Sequence, residues 1–282
     1  MTSVTFEPET RAPQDNPPSR HAALSARLSF MVIRLKEVYA YRTEVLVWLL
    51  NPALQLVLLA TVWRAVYAGR TSVDGVTLTT MTSYVSLAAM HSLVSRDDVV
   101  NWVEKRVRTG VVAMDLLRPI TLLEQVIWGQ VAQLLMKGPM ILIILPVAVG
   151  FSGITAPVAL GPYLLSALLG WIVNSCIFLL LSSIAFWTLE MGGLTFLFFM
   201  VSGFLSGTLV PLWFMPDWLS AALAWLPMQA TLFTPVAIYL GQIAGPDAWS
   251  AIGVQALWIV LLGGLALAVW RRAVRRVVVQ GG

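Results

Sequence analysis

Lys36, Lys105 and Lys137 are the three lysines that could anchor a nucleotide's phosphates. Such a site needs glycine amides in a tight loop just ahead of the lysine. None of the three follows a glycine, so there is no Walker A motif, and ATP hydrolysis is not expected of this chain. An intramembrane hydrolase would need a nucleophile and a nearby base. Ser206, in Gly203-Phe204-Leu205-Ser206-Gly207, invites that reading, and His91 is the histidine inside an apolar stretch. Small residues in such a run are better read as letting helices approach closely. A lone Cys176 and scattered His and carboxylates give no metal-ligand spacing.

Ionisable groups inside apolar segments are functional candidates by default. Here they are Lys137, His91 and Glu190. Lys137 is expected to snorkel toward the inner interface. His91 is expected to be a hydrogen-bonded packing residue, and Glu190 to sit solvated in a turn. No carboxylate falls in mid-span, where a proton-coupled carrier would hold one. The residues therefore point away from an enzyme, and no cofactor is expected in this chain.

The elements around these residues are built for a bilayer. Of 282 residues, 58% are hydrophobic and 11% charged. A soluble domain carries about 25% charged residues. The net charge of +4 does not argue for nucleic acid, because the basic residues flank the apolar segments. Met1 to Arg20 holds Pro8, Pro13, Pro17 and Pro18 and lacks an apolar core, so it reads as a disordered cytosolic tail, not a secretory signal.

Residues 21–276 read as one all-α membrane domain, with a short tail over 277–282. From His21 to Glu44 a mixed helix places Arg20, Arg27 and Arg34 on nearly one face. It is expected to lie at the interface, with its guanidinium groups toward lipid phosphates. Spans are expected near Val45–Val66, with a kink at Asn51-Pro52, and near Leu78–Val94. The second carries many Thr and Ser and so belongs inside the bundle. A third hydrophobic segment runs over Leu122–Phe151, with its span proper expected to start near Lys137. The others fall near Tyr163–Leu189, Leu194–Val210 and Trp249–Trp270, which makes six.

Between the second and third spans, Val99, Val100, Val103 and Val107 recur at helical spacing, opposite Asp97, Asn101, Glu104, Lys105 and Arg108. That is a short amphipathic helix, stopped by Gly110, followed by a second turn over Val111–Leu117. Pro211 to Pro246 is apolar but broken by prolines. It reads as a re-entrant outer hairpin with short helices near Asp217–Leu226 and Pro235–Ile243. Lys and Arg number six in the N-terminal region, five in the second-to-third connection and four after the last span, against two in the first-to-second connection. Both termini are therefore expected on the cytoplasmic side.

Four features together resemble the permease subunit of type-2 ABC exporters, the ABC-2 family, over roughly residues 25–276. They are the N-terminal amphipathic helix; the charged connection with Arg108-Thr109-Gly110 and Leu116-Leu117-Arg118-Pro119; Ser206-Gly207 with Val210-Pro211, Met215-Pro216 and Leu226-Pro227; and the basic C-terminus. The second feature is most similar to bacterial permeases encoded beside a second permease and an ATPase and linked to drug or antibiotic efflux. The resemblance implies a bacterial plasma-membrane location and two paired permeases, as a homodimer or heterodimer. Each would dock a separate ATPase subunit that carries the ATP and magnesium.

By that pattern the helix around Asp98–Arg108 would be the coupling helix. Asp98, Asn101, Lys105, Arg106 and Arg108 would supply polar contacts to the ATPase, and Trp102 an apolar anchor. The transport path would run between the permeases near spans one, two and five. Asn51, Gln55, Ser83, Tyr84 and His91 are its candidate lining. A largely uncharged, aromatic interior suits a hydrophobic or amphipathic compound. The competing expectation is a stand-alone secondary carrier or intramembrane enzyme, against which the missing mid-span carboxylates and nucleophile–base pair argue.

Overall fold

The computed structural model describes residues 20–280 except 41, 96–97, 119, 153, 155 and 189. The expected N-terminal tail before Arg20 lies outside the described residues, as do Gly281 and Gly282. The described residues are almost entirely helical. The exception is a ribbon just ahead of Leu78, β1 (Ser72–Val73) paired antiparallel with β2 (Val76–Thr77). Its turn, Asp74-Gly75, has φ of 48° and 78°. Two successive positive φ values make the turn twist match the strands, which is why Asp-Gly stands there.

Among the described residues, four helices are long and apolar enough to cross a membrane: α2 (Arg42–Tyr67), α6 (Leu122–Ser152), α7 (Leu160–Ile184) and α12 (Pro246–Gln280). Pro52 lies inside α2, and Pro139 and Pro146 inside α6. Two further helices stand where spans were expected. One is α3 (Leu78–Ser95), whose hydroxyl-rich middle, including Thr82, Ser83 and Ser86, is buried by its neighbours. A helix enclosed by other helices needs no apolar coat, so its moderate hydropathy is consistent with its position. The other is α8 (Gly192–Leu205), of 14 residues. At 1.5 Å per residue it covers about 21 Å, less than the ~30 Å of a hydrocarbon core.

The third segment is one uninterrupted helix of 31 residues from Leu122. Thr121 and Glu124 cap its start reciprocally. The Thr121 amide donates to Glu124 Oε2 at 2.9 Å and the Glu124 amide to Thr121 Oγ1 at 3.2 Å. That capping box fixes the helix start ahead of the apolar run. The helix is about 46 Å long, so its first turns extend past the hydrocarbon.

The N-terminal helix α1 (Arg20–Ala40) packs along α6. Its expected orientation is reversed. Arg27 pairs with Glu124, and the Arg34 guanidinium lies 5.5 Å from the Trp102 ring centroid. Leu24, Leu28, Val32 and Ile33 face outward instead. A protein carboxylate and a ring face thus engage these two arginines.

The stretch before α12 folds as a 3-10 turn and three short helices: α9 (Asp217–Ala224), α10 (Pro227–Thr231) and α11 (Phe233–Tyr239). The expected pair of helices is thus three, because Pro227 starts a further one at a position where its missing N–H costs nothing. The last two pack against α7. The expected C-terminal tail is helical as far as Gln280, continuing α12.

Candidate functional site

Among the described residues, two places gather polar side chains: the corner between α3 and α6, and a cavity within the helical bundle. At the corner, α4 (Val99–Arg108) packs on α6 and α7 and buries Val99, Val100 and Val103 in a cluster that also takes in Val126, Phe186, and Trp270 and Ala273 of α12. Gly110, at φ 73°, turns the chain after the helix, as expected. The short helix α5 (Val112–Leu116) follows, with Val112 in the same cluster.

The six residues expected on the coupling face separate into two sets. Asp98, Asn101, Lys105 and Arg108 share one exposed face of α4. Asn101 Nδ2 donates to Asp98 Oδ1 at 2.8 Å, and Arg108 lies 4.0 Å from Glu104. Trp102 and Arg106 lie on the flank toward α1. The Arg106 guanidinium stacks 3.8 Å over the Trp102 ring, and Arg34 approaches the same ring. The expected anchor is therefore held within the chain, joining α4 to α1 through cation–π contacts.

Arg106 also donates from Nε to Asp115 Oδ2 at 2.7 Å, and Asp115 is fully buried. Arg118 Nε lies 3.4 Å from the other carboxylate oxygen. Burial lowers the Arg106 pKa while the Asp115 carboxylate opposes that shift; the guanidinium remains a cation. Gln125 of α6 donates to the carbonyls of Asp115 and Ile120, both at 3.3 Å. Asp115 was not among the sequence candidates. Its one signal is that it is the sole acid between Gly110 and Arg118, and its main partner lies nine residues away across a turn.

The cavity has a volume of about 540 Å³ and lies among α2, α3, α7, α8 and α10. Its polar lining comprises Asn51, Gln55, Ser92, Ser95 and Asn174 on one side and Ser202, Ser206, Thr208 and Thr231 on the other. Phe178, Phe198 and Phe199 supply aromatic surface, and among the described residues no lining side chain is charged. Asn174 Nδ2 donates to the Ser95 carbonyl at 2.8 Å, which satisfies the end of α3. Leu54, Leu58 and Met200 line the cavity yet are exposed, so it opens at the α2–α8 face. Its size lies within the ~300–1,000 Å³ of small-molecule pockets. Asn174, a lone amide in a long apolar run, is a lining residue that the sequence could have flagged.

Of the five path candidates, Asn51 and Gln55 line this cavity. Ser83, Tyr84 and His91 do not. Ser83 is buried within α3. The Tyr84 hydroxyl donates to the Gly207 carbonyl at 2.8 Å, and its ring packs edge-on to Trp213 at 4.9 Å. Gly207 has φ of 80°, and a Cβ there would lie 2.8 Å from the Tyr84 oxygen. Ser206-Gly207 is thus a left-handed turn closed by Tyr84, and the Ser206 hydroxyl bonds with Thr208 at 2.8 Å. His91 Nδ1 lies 3.1 Å from the Leu87 carbonyl, and its ring packs edge-on to Tyr163. That is a packing role, as expected. Lys137 is buried instead of snorkelling. Its Nζ donates to Gln133 at 3.0 Å and lies 5.1 Å from the Trp48 ring centroid. Glu190 is exposed.

The sequence matches the family described as ABC-2 family transporter protein over residues 49–281. The chain belongs to that family, and is therefore a multi-pass membrane protein and a transport permease. No curated protein matches it.

Proposed function

We propose that this chain is the permease subunit of an ATP-driven exporter in a bacterial plasma membrane, worked by a separate ABC ATPase on its cytoplasmic side. The observation that carries the proposal is α4. Its valine face is packed into the bundle, and Asp98, Asn101, Lys105 and Arg108 are exposed on the opposite face. A helix seated this firmly can pass a push from a docked partner to α6, α7 and α12. ATP and magnesium belong to the partner, and nucleic acid has no part.

Six crossings, α2, α3, α6, α7, α8 and α12, with both termini inside, agree with the Lys and Arg distribution. A second permease, identical or homologous, fits the exposed apolar faces of α2 and α8, where the cavity opens. The uncharged aromatic and amide lining favours a neutral hydrophobic or amphipathic cargo over an anionic polymer.

The test is purification from native membranes. An ATPase should accompany the chain, and Lys105→Glu with Arg108→Glu should lower its permease-dependent hydrolysis severalfold at unchanged expression. Transport by the isolated chain in vesicles without ATP would overturn the reading. The cavity has its own test. Gln55→Leu with Asn51→Leu should weaken stimulation of ATP hydrolysis by uncharged amphipathic probes severalfold and leave basal hydrolysis in place. Equal stimulation of wild type and variant would remove the cavity from the path.

A further inference from the structure

The hydroxyls and amides around the cavity differ in what they have left to offer. The Ser92 hydroxyl donates to the Ala89 carbonyl at 2.8 Å, and the Thr231 hydroxyl to that of Met228 at 2.7 Å. Ser206 and Thr208 bond to each other. Asn51 is exposed on α2, and Gln55 Oε1 lies 3.5 Å from the Ser92 hydroxyl. Asn174 is half-buried, and its Nδ2 is committed to the Ser95 carbonyl at 2.8 Å. A carbonyl only accepts, so this contact fixes which way the amide points. Among the described residues it is the one hydrogen bond of the Asn174 side chain, which leaves Oδ1 to accept. Asn174 lies about 21 Å along α7 from Leu160, in a helix long enough to cross a membrane. An acceptor at such a place costs free energy until a donor meets it. One turn further along the same face, Phe178 packs on Phe198 and Phe199 of α8, with ring centroids 5.9 and 5.7 Å away. All three rings line the cavity together with Asn174.

We infer that Asn174 determines which cargo the cavity takes: its Oδ1 accepts a hydrogen bond from an O–H or N–H group, while Phe198 and Phe199 receive the apolar body beside it. The inference rests on the reading that this cavity holds the cargo, and it narrows the class. Neutral amphipaths in general become those with a hydrogen-bond donor at the edge of an apolar or aromatic body. An analogue of the same shape without the donor leaves Oδ1 unpaired, and that is how a polar site rejects it. Gln55 is less suited to this choice, because its oxygen already faces a hydroxyl. Asn174 is pre-oriented by Ser95, so little side-chain freedom is lost on binding. The amide also carries the effect onward. A donor at Oδ1 polarises the group and strengthens the Nδ2 bond to Ser95, which holds the end of α3 more tightly when the cavity is occupied.

The probes are para-hexylphenol and its methyl ether, in which the donor hydrogen is replaced. Each competes with a photoactivatable diazirine phenol for the full chain in native membranes, at concentrations corrected for partition into lipid. Adducts are mapped by mass spectrometry. The label should fall on the stretches of α7 and α8 that line the cavity, and the phenol should compete about tenfold better than the ether. Gln55→Leu should weaken both probes and keep that ratio, whereas Asn174→Leu should bring it near one. If Asn174 served only to hold Ser95, its loss would weaken both probes together and leave the ratio intact, which would overturn the inference. So would loss of the preference in Gln55→Leu, equal competition by the two probes, or a label outside the cavity walls. The last two are read on the wild-type chain, so they decide even where Asn174→Leu does not fold. Copurification of an ATPase tests the exporter reading separately. An intact ratio without an ATPase sinks that reading and keeps this binding assignment; a ratio of one with an ATPase does the reverse.

Discussion

Replacing Arg106 by leucine is expected to destabilise the permease by about 3 kcal/mol, and adding Asp115→Leu to recover most of the loss. Asp115 is fully buried, with Arg106 2.7 Å from one carboxylate oxygen. Removing one partner of a buried pair leaves a charge without solvent or counter-ion, whereas replacing both by apolar groups is often neutral. Arg118 offers only partial compensation. It approaches the other oxygen at 3.4 Å, and its own side chain is 46% exposed, so solvent weakens its field. The order should be asymmetric: Asp115→Leu alone costs less, since Arg106 and Arg118 both reach water in part. The measurement is the apparent melting temperature of the detergent-solubilised protein, where such a loss reads as roughly 10 °C. If the double variant were as unstable as the sum of the two single variants, the carboxylate would not be held by Arg106. The functional consequence follows from position. Asp115 joins the end of α4 to α5 and, through Gln125, to α6. A partner that displaces α4 could therefore move α6 with little slack.

This corner shows where sequence reading succeeds and where it stops. The amphipathic helix, its glycine stop and the turn after it were legible, because each follows from local spacing and local backbone demand. The split of its polar residues was not. Trp102 and Lys105 are three apart and look alike as neighbours of one polar stripe. Which one is exposed depends on α1 supplying Arg34 across the helix flank. The same applies to the arginines of α1. Their seven-residue spacing was visible, but only the placement of Glu124 and Trp102 turns Arg27 and Arg34 toward protein.

Within the bundle, Asn51 and Gln55 lie one turn apart on one face of α2, and both line the cavity. Tyr84, another candidate for the lining, does not reach the cavity. Its partner, the Gly207 carbonyl, lies 123 residues further on. Lys137 illustrates the same limit, because a snorkelling lysine and one buried over Trp48 have identical local sequence.

Gly170→Val is expected to cost about 3 kcal/mol and to abolish response to transported probes, because Gly170 is where the short helices before α12 rest on α7. A Cβ at Gly170 would lie 2.9 Å from the Ala230 carbonyl oxygen and 3.1 Å from that of Thr231. Both are backbone atoms, so relief requires moving α10 as a unit. The Ala230 carbonyl also accepts a 2.8 Å hydrogen bond from Gln255 Nε2, which donates to Ser166 at 3.0 Å as well. Shifting α10 thus adds the loss of a buried hydrogen bond, about 1 kcal/mol, to an overpacking cost of about 2 kcal/mol. Gly161 of the same helix provides the control. Nothing lies within 4 Å of its Cβ position, so Gly161→Ala should leave stability unchanged or slightly raised. The link to transport is that Met228 and Thr231 of α10 line the cavity. Displacing them reshapes its outer wall while α4, far along α7, stays packed. Basal ATP hydrolysis by the assembled complex should therefore survive while probe stimulation is lost. If Gly170→Val melted and responded like the wild type, the short helices would not be seated on α7, and α10 would lose its place as the wall that closes the cavity.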